Sequence, residues 1–282
     1  MRYTNNMLEF DILARGLYRR DQLAITYDPS LHISIAPSIQ QWMETVWQQK
    51  LAIAHEKGTR LFDSQLFRLE HATTSPGGIL HLVLGNTSYK EYVTTREPDF
   101  ASGRNRSELS NALGVCSVVE TSDGYILLDK RQGVDAYVGR YHVIGGFFER
   151  DLDSTNISNT TAIVVQPDPF AAITREIREE TGIQSADIHE QYCLGAVYDL
   201  TLPHCELCFL TLLNISLQEV HTRVPEEDEI QQLHSLHITA ESLRNFITTH
   251  HGNISPTGEP NLLMYGSVKF GEGWWDEVMR RL

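Results

Sequence analysis

Three glutamates in the segment "REIREETGI" (175–183) are spaced so that one helix would bring their carboxylates together. Glu176, Glu179 and Glu180 stand at positions i, i+3 and i+4, which places them on one stripe about 100° wide. Such a stripe is locally unfavourable, because like charges repel and the C-terminal end of a helix disfavours anions. A bound divalent cation would make the clustered carboxylates favourable, since Mg²⁺ prefers carboxylate oxygens. The alternative is a solvated face with Arg175 and Glu179 as an i,i+4 ion pair.

The flanking residues predict the helix that would carry this stripe. Asp168 is a good N-cap, Pro169 suits the first helical position, and Gly182 is a C-terminal stop. The helix between these caps is about 13 residues long. A neighbouring apolar stripe is predicted to face the core: Phe170, Ile173 and Ile177.

A glycine pair gives the acidic stripe a segment to face. "YHVIGGFFE" (141–149) reads as a strand that runs into Gly145 and Gly146. Glycines in a strand allow a backbone carbonyl or amide to approach a ligand closely.

Strand and helix signals alternate along the chain without a regular βαβ rhythm. This favours an α/β (α+β) fold in which helices sandwich a mixed β-sheet. We expect an N-terminal α+β accessory region at 1–112 and a second domain at 113–282 that contains the acidic helix, with a polar, loop-like insertion at about 150–166. Strands are predicted at 113–132 (a hairpin), 194–200 and 205–215, and helices at 38–58, 239–249 and 260–268.

Composition limits the partners of the chain. A net charge of −14 argues against nucleic acid and anionic membranes, which need cationic surfaces. No secretion signal and no long apolar span are visible, and four cysteines fit a reducing cytoplasm, so we expect a cytoplasmic protein. Either a monomer or a homodimer is expected. Zinc at "HCELC" (204–208) is disfavoured, because Cys205 and Cys208 would point to opposite faces of a strand.

The glycine pair and the acidic helix together resemble the Nudix box, Gly-x5-Glu-x7-Arg-Glu-U-x-Glu-Glu-x-Gly-U, where U is bulky and aliphatic. "REIREETGI" fills the whole second half of this pattern, and "IGGFFE" stands upstream. The segment between Gly146 and Arg175 is about 15 residues longer than the box, so its first glutamate falls on Pro167. Three nearby acids are candidates to replace that glutamate: Glu149, Asp151 and Asp153.

The Nudix resemblance implies hydrolysis of a nucleoside diphosphate linked to another group. By the family pattern, Glu176, Glu179 and Glu180 would hold Mg²⁺, or alternatively Mn²⁺, together with the Gly145 carbonyl. Arg175 would orient a carboxylate through a salt bridge. Mg²⁺ would also allow a chain of charge −14 to bind a dianionic substrate.

Two carboxylates outside the box are candidates for the general base. Family members often take an extra glutamate from a later loop, and Glu229 in "VPEEDEIQQLHSL" (224–236) precedes an apolar run. Glu206, at the head of a strand, is the other. For Glu229 an acidic surface turn is the plain alternative.

A second resemblance covers most of the chain and concerns the substrate. Five segments, in the same order and spacing, look like animal Nudix proteins that hydrolyse UDP-glucose and UDP-galactose: 61–73, 84–95, 111–119, 125–132 and 142–146. The implied products are UMP and a sugar 1-phosphate. Tyr89 could stack on the base, and Arg68, Lys90 and Arg131 could meet phosphates or uracil oxygens.

Two other functions stay open at this level. One is hydrolysis of a different nucleoside diphosphate substrate, such as ADP-ribose. The other is a module that binds a nucleotide sugar without cleaving it, which the missing first glutamate of the box would allow. The intact set of Glu176, Glu179 and Glu180 argues against that second function.

Overall fold

Thirteen strands and eight α-helices occur in the residues described by the computed structural model, which are 8–132, 136–159, 162–226 and 233–282. The strands are β1 Phe10–Tyr18, β2 Leu23–Tyr27, β3 Gln65–Thr74, β4 Leu80–Ser88, β5 Leu113–Glu120, β6 Tyr125–Lys130, β7 Tyr141–His142, β8 Ile144–Phe147, β9 Ser154–Asn159, β10 Ala162–Pro167, β11 Ile188–Asp199, β12 His204–Leu213 and β13 Leu233–His237. The helices are α1 Pro37–Glu56, α2 Tyr89–Thr95, α3 Pro98–Ala101, α4 Pro169–Thr181, α5 Leu217–Val220, α6 Ala240–His250, α7 Gly258–Phe270 and α8 Glu272–Met279. No helix among these residues is both long and apolar enough to span a membrane.

The main sheet is mixed, as the sequence predicts. Its strand order is β1-β11-β12-β5-β6-β13, with β8 on β5 and β7 on β6. The β12 and β5 strands run parallel, whereas the other pairs in this sheet are antiparallel. Strand β5 is buried along its whole length, because apolar residues cover both faces of the sheet at this point.

Helices pack on both faces of the main sheet. Phe170, Ile173 and Ile177 of α4 share one core cluster with Val115 and Ile144 of the sheet, and are at most 3% exposed. Helix α7 covers the opposite face, where its residues pack with Cys116 and Val118. The expected sandwich of a mixed sheet between helices is confirmed, and α4 lies directly against β8.

The caps of α4 lie at the predicted residues. The Asp168 carboxylate accepts hydrogen bonds from the amides of Phe170 and Ala171 at 3.1 Å. Gly182 has a φ of 75°, and its amide donates to the Arg178 carbonyl at 2.8 Å. A left-handed residue at this point suits glycine, and it ends the helix two residues after Glu180.

The N-terminal residues form a smaller unit that is attached to the main sheet. Strands β2, β4 and β3 make a separate sheet, and α1 packs on α2. Trp47, Leu66 and Tyr92 form a third core cluster, against which Phe147 of β8 packs. Strand β1 pairs with β11, so one element from the first 112 residues joins the main sheet. The predicted boundary at 112 stays a prediction.

The polar insertion is not a loop. Residues Ser154–Asn159 and Ala162–Pro167 form an antiparallel hairpin, β9–β10, in a sheet of their own. Their serines, threonines and asparagines resemble loop residues in composition, yet β-branched side chains such as Thr155 and Val165 also suit a strand. The sequence interpretation missed this pairing.

Candidate active site

Arg175 forms an ion pair with Asp153, one of the three acids that are candidates to replace the first glutamate of the box. The guanidinium makes a two-pronged contact, with Nε–Oδ1 and Nη2–Oδ2 distances of 2.8 Å. Arg175 also donates to the carbonyl of Phe147 at 3.0 Å. Asp153 is 2% exposed, so the pair is held inside the protein. Of the three candidate acids, Asp153 takes the position opposite the arginine, and paired fork geometry fixes the orientation of both groups.

The hairpin is inserted without separating the two halves of this site. Ser154 pairs with Pro167 at its base, and the amide of Asp168 donates to the carbonyl of Asp153 at 2.9 Å. The chain therefore leaves after Asp153 and returns beside it at the N-cap of α4. This closed base explains how Asp153 contacts Arg175 across 22 residues of sequence.

Glu176 lies against the second glycine of the pair. A Cβ atom placed on Gly146 would lie 2.5 Å from the Glu176 carboxylate, so any larger residue would displace that group from its present position. Glu176 contacts Arg175 at 2.9 Å and is 9% exposed. Burial raises the pKa of Glu176 to about 8, although the Arg175 charge opposes this rise.

Glu180 and Glu179 make different contacts. Glu180 is 9% exposed and accepts a hydrogen bond from the Gly145 amide at 3.1 Å. Glu179 binds Arg175 at 2.8 Å and Arg178 at 3.2 Å. Glu176 and Glu180 thus reach adjacent residues of β8, whereas Glu179 is held by arginines on its own helix.

The donor chemistry of this site suits a hard divalent cation, although its side chains do not converge as they stand. Three carboxylates and a nearby strand carbonyl are the ligand types that Mg²⁺ prefers. The narrow gap at Gly146 brings Glu176 onto the strand. Within the described ranges, no group of three His, Cys, Asp or Glu side chains is placed to hold a metal ion. Ligation by all three glutamates would require Glu179 to leave Arg175, and the metal set stays a prediction.

Glu206 belongs to a group of buried polar side chains that also contains His204 and His142. His204 Nε2 donates to Glu206 Oε1 over 3.1 Å, and His142 Nε2 lies 3.9 Å from Oε2. A Cβ on Gly114 would lie 3.0 Å from both Glu206 Cγ and the Gly146 carbonyl, so Glu206 lies close to the glycine strand. Burial would raise the pKa of Glu206, but His204 and His142 outweigh it and lower the pKa to about 2. Glu206 is therefore an ionised carboxylate in the interior.

The other predicted base lies beyond the described residues. Glu229 falls between 226 and 233, so its contacts are not part of the structural description. In contrast, Glu206 Oε2 is buried and has no hydrogen-bond partner among the described residues. His204 is not among the site residues that the sequence predicts. Its spacing of two residues from Glu206 in a strand places both side chains on one face, and that signal could have identified it.

The four predicted substrate-binding residues are placed very differently. Tyr89 packs edge-on against Phe147 at 5.6 Å, one residue beyond the glycine pair. Lys90 pairs with Glu44 of α1. Arg131 donates from Nε to the Ala136 carbonyl at 3.1 Å and lies near His142, whose pKa its charge lowers. Tyr89, Lys90 and Arg131 all stay proposals.

Arg68, the fourth of these residues, lies in the protein interior. Its side chain is 2% exposed, and it donates to the carbonyls of Ser107, Leu109 and Ser110 and to Glu70. A guanidinium bound in this way ties β3 to the segment before β5. These contacts engage the guanidinium within the protein, and the phosphate contact of Arg68 stays a prediction.

The cysteines are placed as the strand pattern predicts. Cys205 packs in the core cluster on the α4 face and Cys208 in the cluster on the α7 face. All four cysteines are buried and free. The C-x2-C motif therefore cannot direct both thiolates at one zinc ion.

Comparisons with known proteins give partial structural likeness only. No family model and no curated protein matches the chain. A Nudix hydrolase family member from Chromobacterium violaceum is 19% identical over 59% of this chain and 85% of its own, with a TM-score of 0.32. A MutT protein from Methanosarcina mazei is 14% identical over 56% and 94%, with a TM-score of 0.34.

A bifunctional NMN adenylyltransferase/ADP ribose pyrophosphatase from Francisella tularensis is also similar in part. It is 14% identical over 64% of this chain and 44% of its own, with a TM-score of 0.36. Such low identities and TM-scores leave activity and substrate unassigned.

Proposed function

We propose that this chain is a Nudix hydrolase that cleaves the diphosphate bond of a nucleoside diphosphate sugar with the help of Mg²⁺ or Mn²⁺. The proposed substrates are UDP-glucose and UDP-galactose, and the products are UMP and a sugar 1-phosphate. The observation that carries the proposal is the buried Asp153–Arg175 pair beside Glu176 and Glu180 on the glycine strand. This pair supplies the acid that the interrupted box lacks.

The proposed ligands of the cation are Glu176, Glu179 and Glu180 with the Gly145 carbonyl. When bound, a divalent ion would neutralise diphosphate charge and lower the pKa of an attacking water. Arg175 holds the glutamate helix to β8 through Asp153 and the Phe147 carbonyl. The role of Arg175 and Asp153 is to position the carboxylates, because their own charges compensate each other in the interior.

Two carboxylates are proposed as the acceptor of the water proton. Glu206 is supported by its buried, ionised state and by its closeness to the glycine strand, where a Cβ on Gly114 would lie 3.0 Å from both Glu206 Cγ and the Gly146 carbonyl. Glu229 remains the alternative. Tyr89, beside Phe147, is proposed to meet the nucleotide, and Lys90 and Arg131 its polar groups.

The test is an activity panel with UDP-glucose, UDP-galactose, GDP-mannose, ADP-ribose and NADH, each with EDTA, Mg²⁺ or Mn²⁺. Nucleoside monophosphate release should require the metal and be fastest with a UDP-sugar. Fastest release from ADP-ribose would replace the proposed substrate. Binding without turnover on any compound would contradict hydrolysis altogether.

A matched pair of variants tests the role of the acidic helix. Glu180→Gln should lower kcat by about tenfold or more, which corresponds to ~1.4 kcal/mol in the barrier. Glu241→Gln, at an exposed position in the first turn of α6, makes the same chemical change and should leave kcat unaltered. Equal rates in the two variants would contradict the proposed ligand set.

A further inference from the structure

A second, chemically different cleft lies between the N-terminal helices and the turn that joins β11 to β12. Its volume is about 630 Å³, within the range of small-molecule sites. One wall comes from α1, α3 and residues 96–109, and the other from residues 198–203. Its cations are Lys50, Arg96, Arg104 and Arg106, and its one carboxylate is Glu97. The lining side chains thus carry more positive than negative charge, although the net charge of the chain is −14.

Each of the three arginines is held over an aromatic ring. The guanidinium carbon lies 4.5 Å from the ring centre of Tyr92 for Arg96, 4.1 Å from Phe100 for Arg104 and 3.9 Å from Tyr198 for Arg106. Such contacts occur about once per 70–80 residues in proteins. The three arginines lie within residues 96–106 and form a preorganised cluster, because stacking limits their rotamers before any ligand binds.

Arg104 and Arg106 keep hydrogen-bonding capacity beyond their described contacts. Arg104 donates to the Phe100 carbonyl and to Glu108 at 3.0 and 3.2 Å, and Arg106 donates to Asp11. A guanidinium carries five N–H donors, so the described contacts of Arg104 use two of them. Lys50 pairs with Glu97 at 2.6 Å, which sets one cation against the single carboxylate of the lining.

We propose that this cleft binds a phosphomonoester dianion without a metal ion. Planar guanidinium groups match the oxygens of a phosphate in two-pronged geometry, and a dianion needs several cations around it. The acidic helix could not bind such a group without a divalent ion, since its own charges are negative. The two sites therefore differ in sign and in metal requirement.

The choice of ligands to test rests on the proposed function. Both products of the proposed reaction, a nucleoside monophosphate and a sugar 1-phosphate, carry a phosphomonoester. The cleft is accordingly a site for product or for a phosphorylated effector. Inorganic phosphate, UMP and glucose 1-phosphate distinguish a site for phosphate itself from one that also reads the nucleoside or the sugar.

The experiment is calorimetric titration of the full chain with each of these three compounds in EDTA. Saturable binding should weaken by about tenfold in Arg104→Gln and in Arg106→Gln, the cost of one charge-assisted contact. Arg104→Lys keeps the charge and should recover only part of the affinity, since it loses the planar fork. Arg281→Gln removes the same charge from an arginine that pairs with Glu277 at the C-terminus, and it should bind like the parent.

Several results would overturn this inference. These are absence of saturable binding in EDTA, or equal affinities in Arg104→Gln, Arg106→Gln and Arg281→Gln. If Arg106→Gln fails to fold, because it also loses its Asp11 and Tyr198 contacts, Lys50→Gln takes its place. Glu180→Gln separates the two proposals: it should lower metal-dependent kcat and keep the parent's phosphate affinity in EDTA. Tighter phosphate binding in this variant would place the anion at the acidic helix, where the substitution removes a repelling charge, and would overturn the inference.

Discussion

Gly145 and Gly146 are adjacent in β8, yet their missing side chains serve different purposes. A Cβ on Gly145 would lie 2.2 Å from the Val115 carbonyl oxygen and 2.6 Å from Cys116 Cα. A Cβ on Gly146 would instead meet the end of the Glu176 side chain. The first glycine permits two strands to pair, and the second permits a carboxylate to reach the strand.

Alanine at each glycine should therefore have a different effect. Gly146→Ala should change the free energy of unfolding by less than about 1 kcal/mol, because a flexible carboxylate can move aside, but it should lower metal-dependent hydrolysis. Gly145→Ala overlaps backbone atoms and should destabilise the chain by about 1–3 kcal/mol. Chemical denaturation and kcat, measured for both variants, test this difference.

Gly273→Ala supplies the control, because a Cβ there has nothing within 4 Å. This variant should keep both stability and activity. Normal hydrolysis in Gly146→Ala would show that the position of Glu176 against β8 is irrelevant to the reaction.

His142 is a buried histidine whose charged state the fold disfavours. It is 3% exposed, and burial lowers its pKa to about 4, with Arg131 and His204 acting in the same direction and Glu206 against them. Between pH 6.5 and 4 the unfolded chain therefore binds a proton at this residue that the folded chain does not. The free energy of unfolding should fall with decreasing pH in that window, by up to about 1.4 kcal/mol per pH unit from this group.

The slope should be smaller in His142→Gln than in the parent between pH 6.5 and 4, as measured by urea denaturation at a series of pH values. His189→Gln, at an exposed histidine of β11, should retain the parent slope. Identical slopes in all three proteins would refute the depressed pKa of His142.

At the scale of elements, the sequence predicts the features that depend on neighbouring residues, such as helix ends. It does not predict the features that depend on contacts between distant residues. Both ends of α4 are predicted because Asp168 and Gly182 cap it through residues two to four positions away. The burial of Arg68 depends instead on Leu109 and Ser110, some forty residues along the chain, and no local pattern records them. The sequence limits the acid that replaces the first glutamate of the box to three candidates. Only the closed base of the hairpin shows that Asp153 is the one opposite Arg175.

The hairpin β9–β10 should be removable as a unit. Because Asp153 and Asp168 are already hydrogen-bonded, residues 154–167 can be replaced by an Asn-Gly turn without moving either neighbour. The hydrolysis rate of this variant should be within about an order of magnitude of the parent's rate. Its melting temperature should fall by a few degrees, since Val165 packs partly against the core.

Val165→Ala separates the two contributions of the hairpin. If the drop in melting temperature is due to core packing, this single variant should reproduce most of it. Loss of activity in the excised chain, with the Val165→Ala protein still active, would assign the hairpin to the substrate site and contradict its role as a passive insertion.

For the whole molecule, the net charge of −14 attracts cations to the many acidic side chains of the surface. A rise in stability on adding Mg²⁺ is therefore not by itself a sign of one site. A specific site is saturable, and it stabilises the native chain by RT ln(1 + [L]/Kd), about 2.7 kcal/mol at a hundred times Kd. In a chain of this length that should raise the melting temperature by roughly 5–10 °C.

The Mg²⁺-dependent shift should be lost in the double variant Glu176→Gln/Glu180→Gln, with NaCl used to hold the ionic strength constant. A control double variant, Glu190→Gln/Glu241→Gln, makes the same change of charge at exposed positions and should keep the shift. EDTA should reverse the shift in the parent, because the stabilisation follows the bound ion. If both double variants respond to Mg²⁺ as the parent does, the ion is bound diffusely by the acidic surface, and the proposed metal site on α4 is wrong.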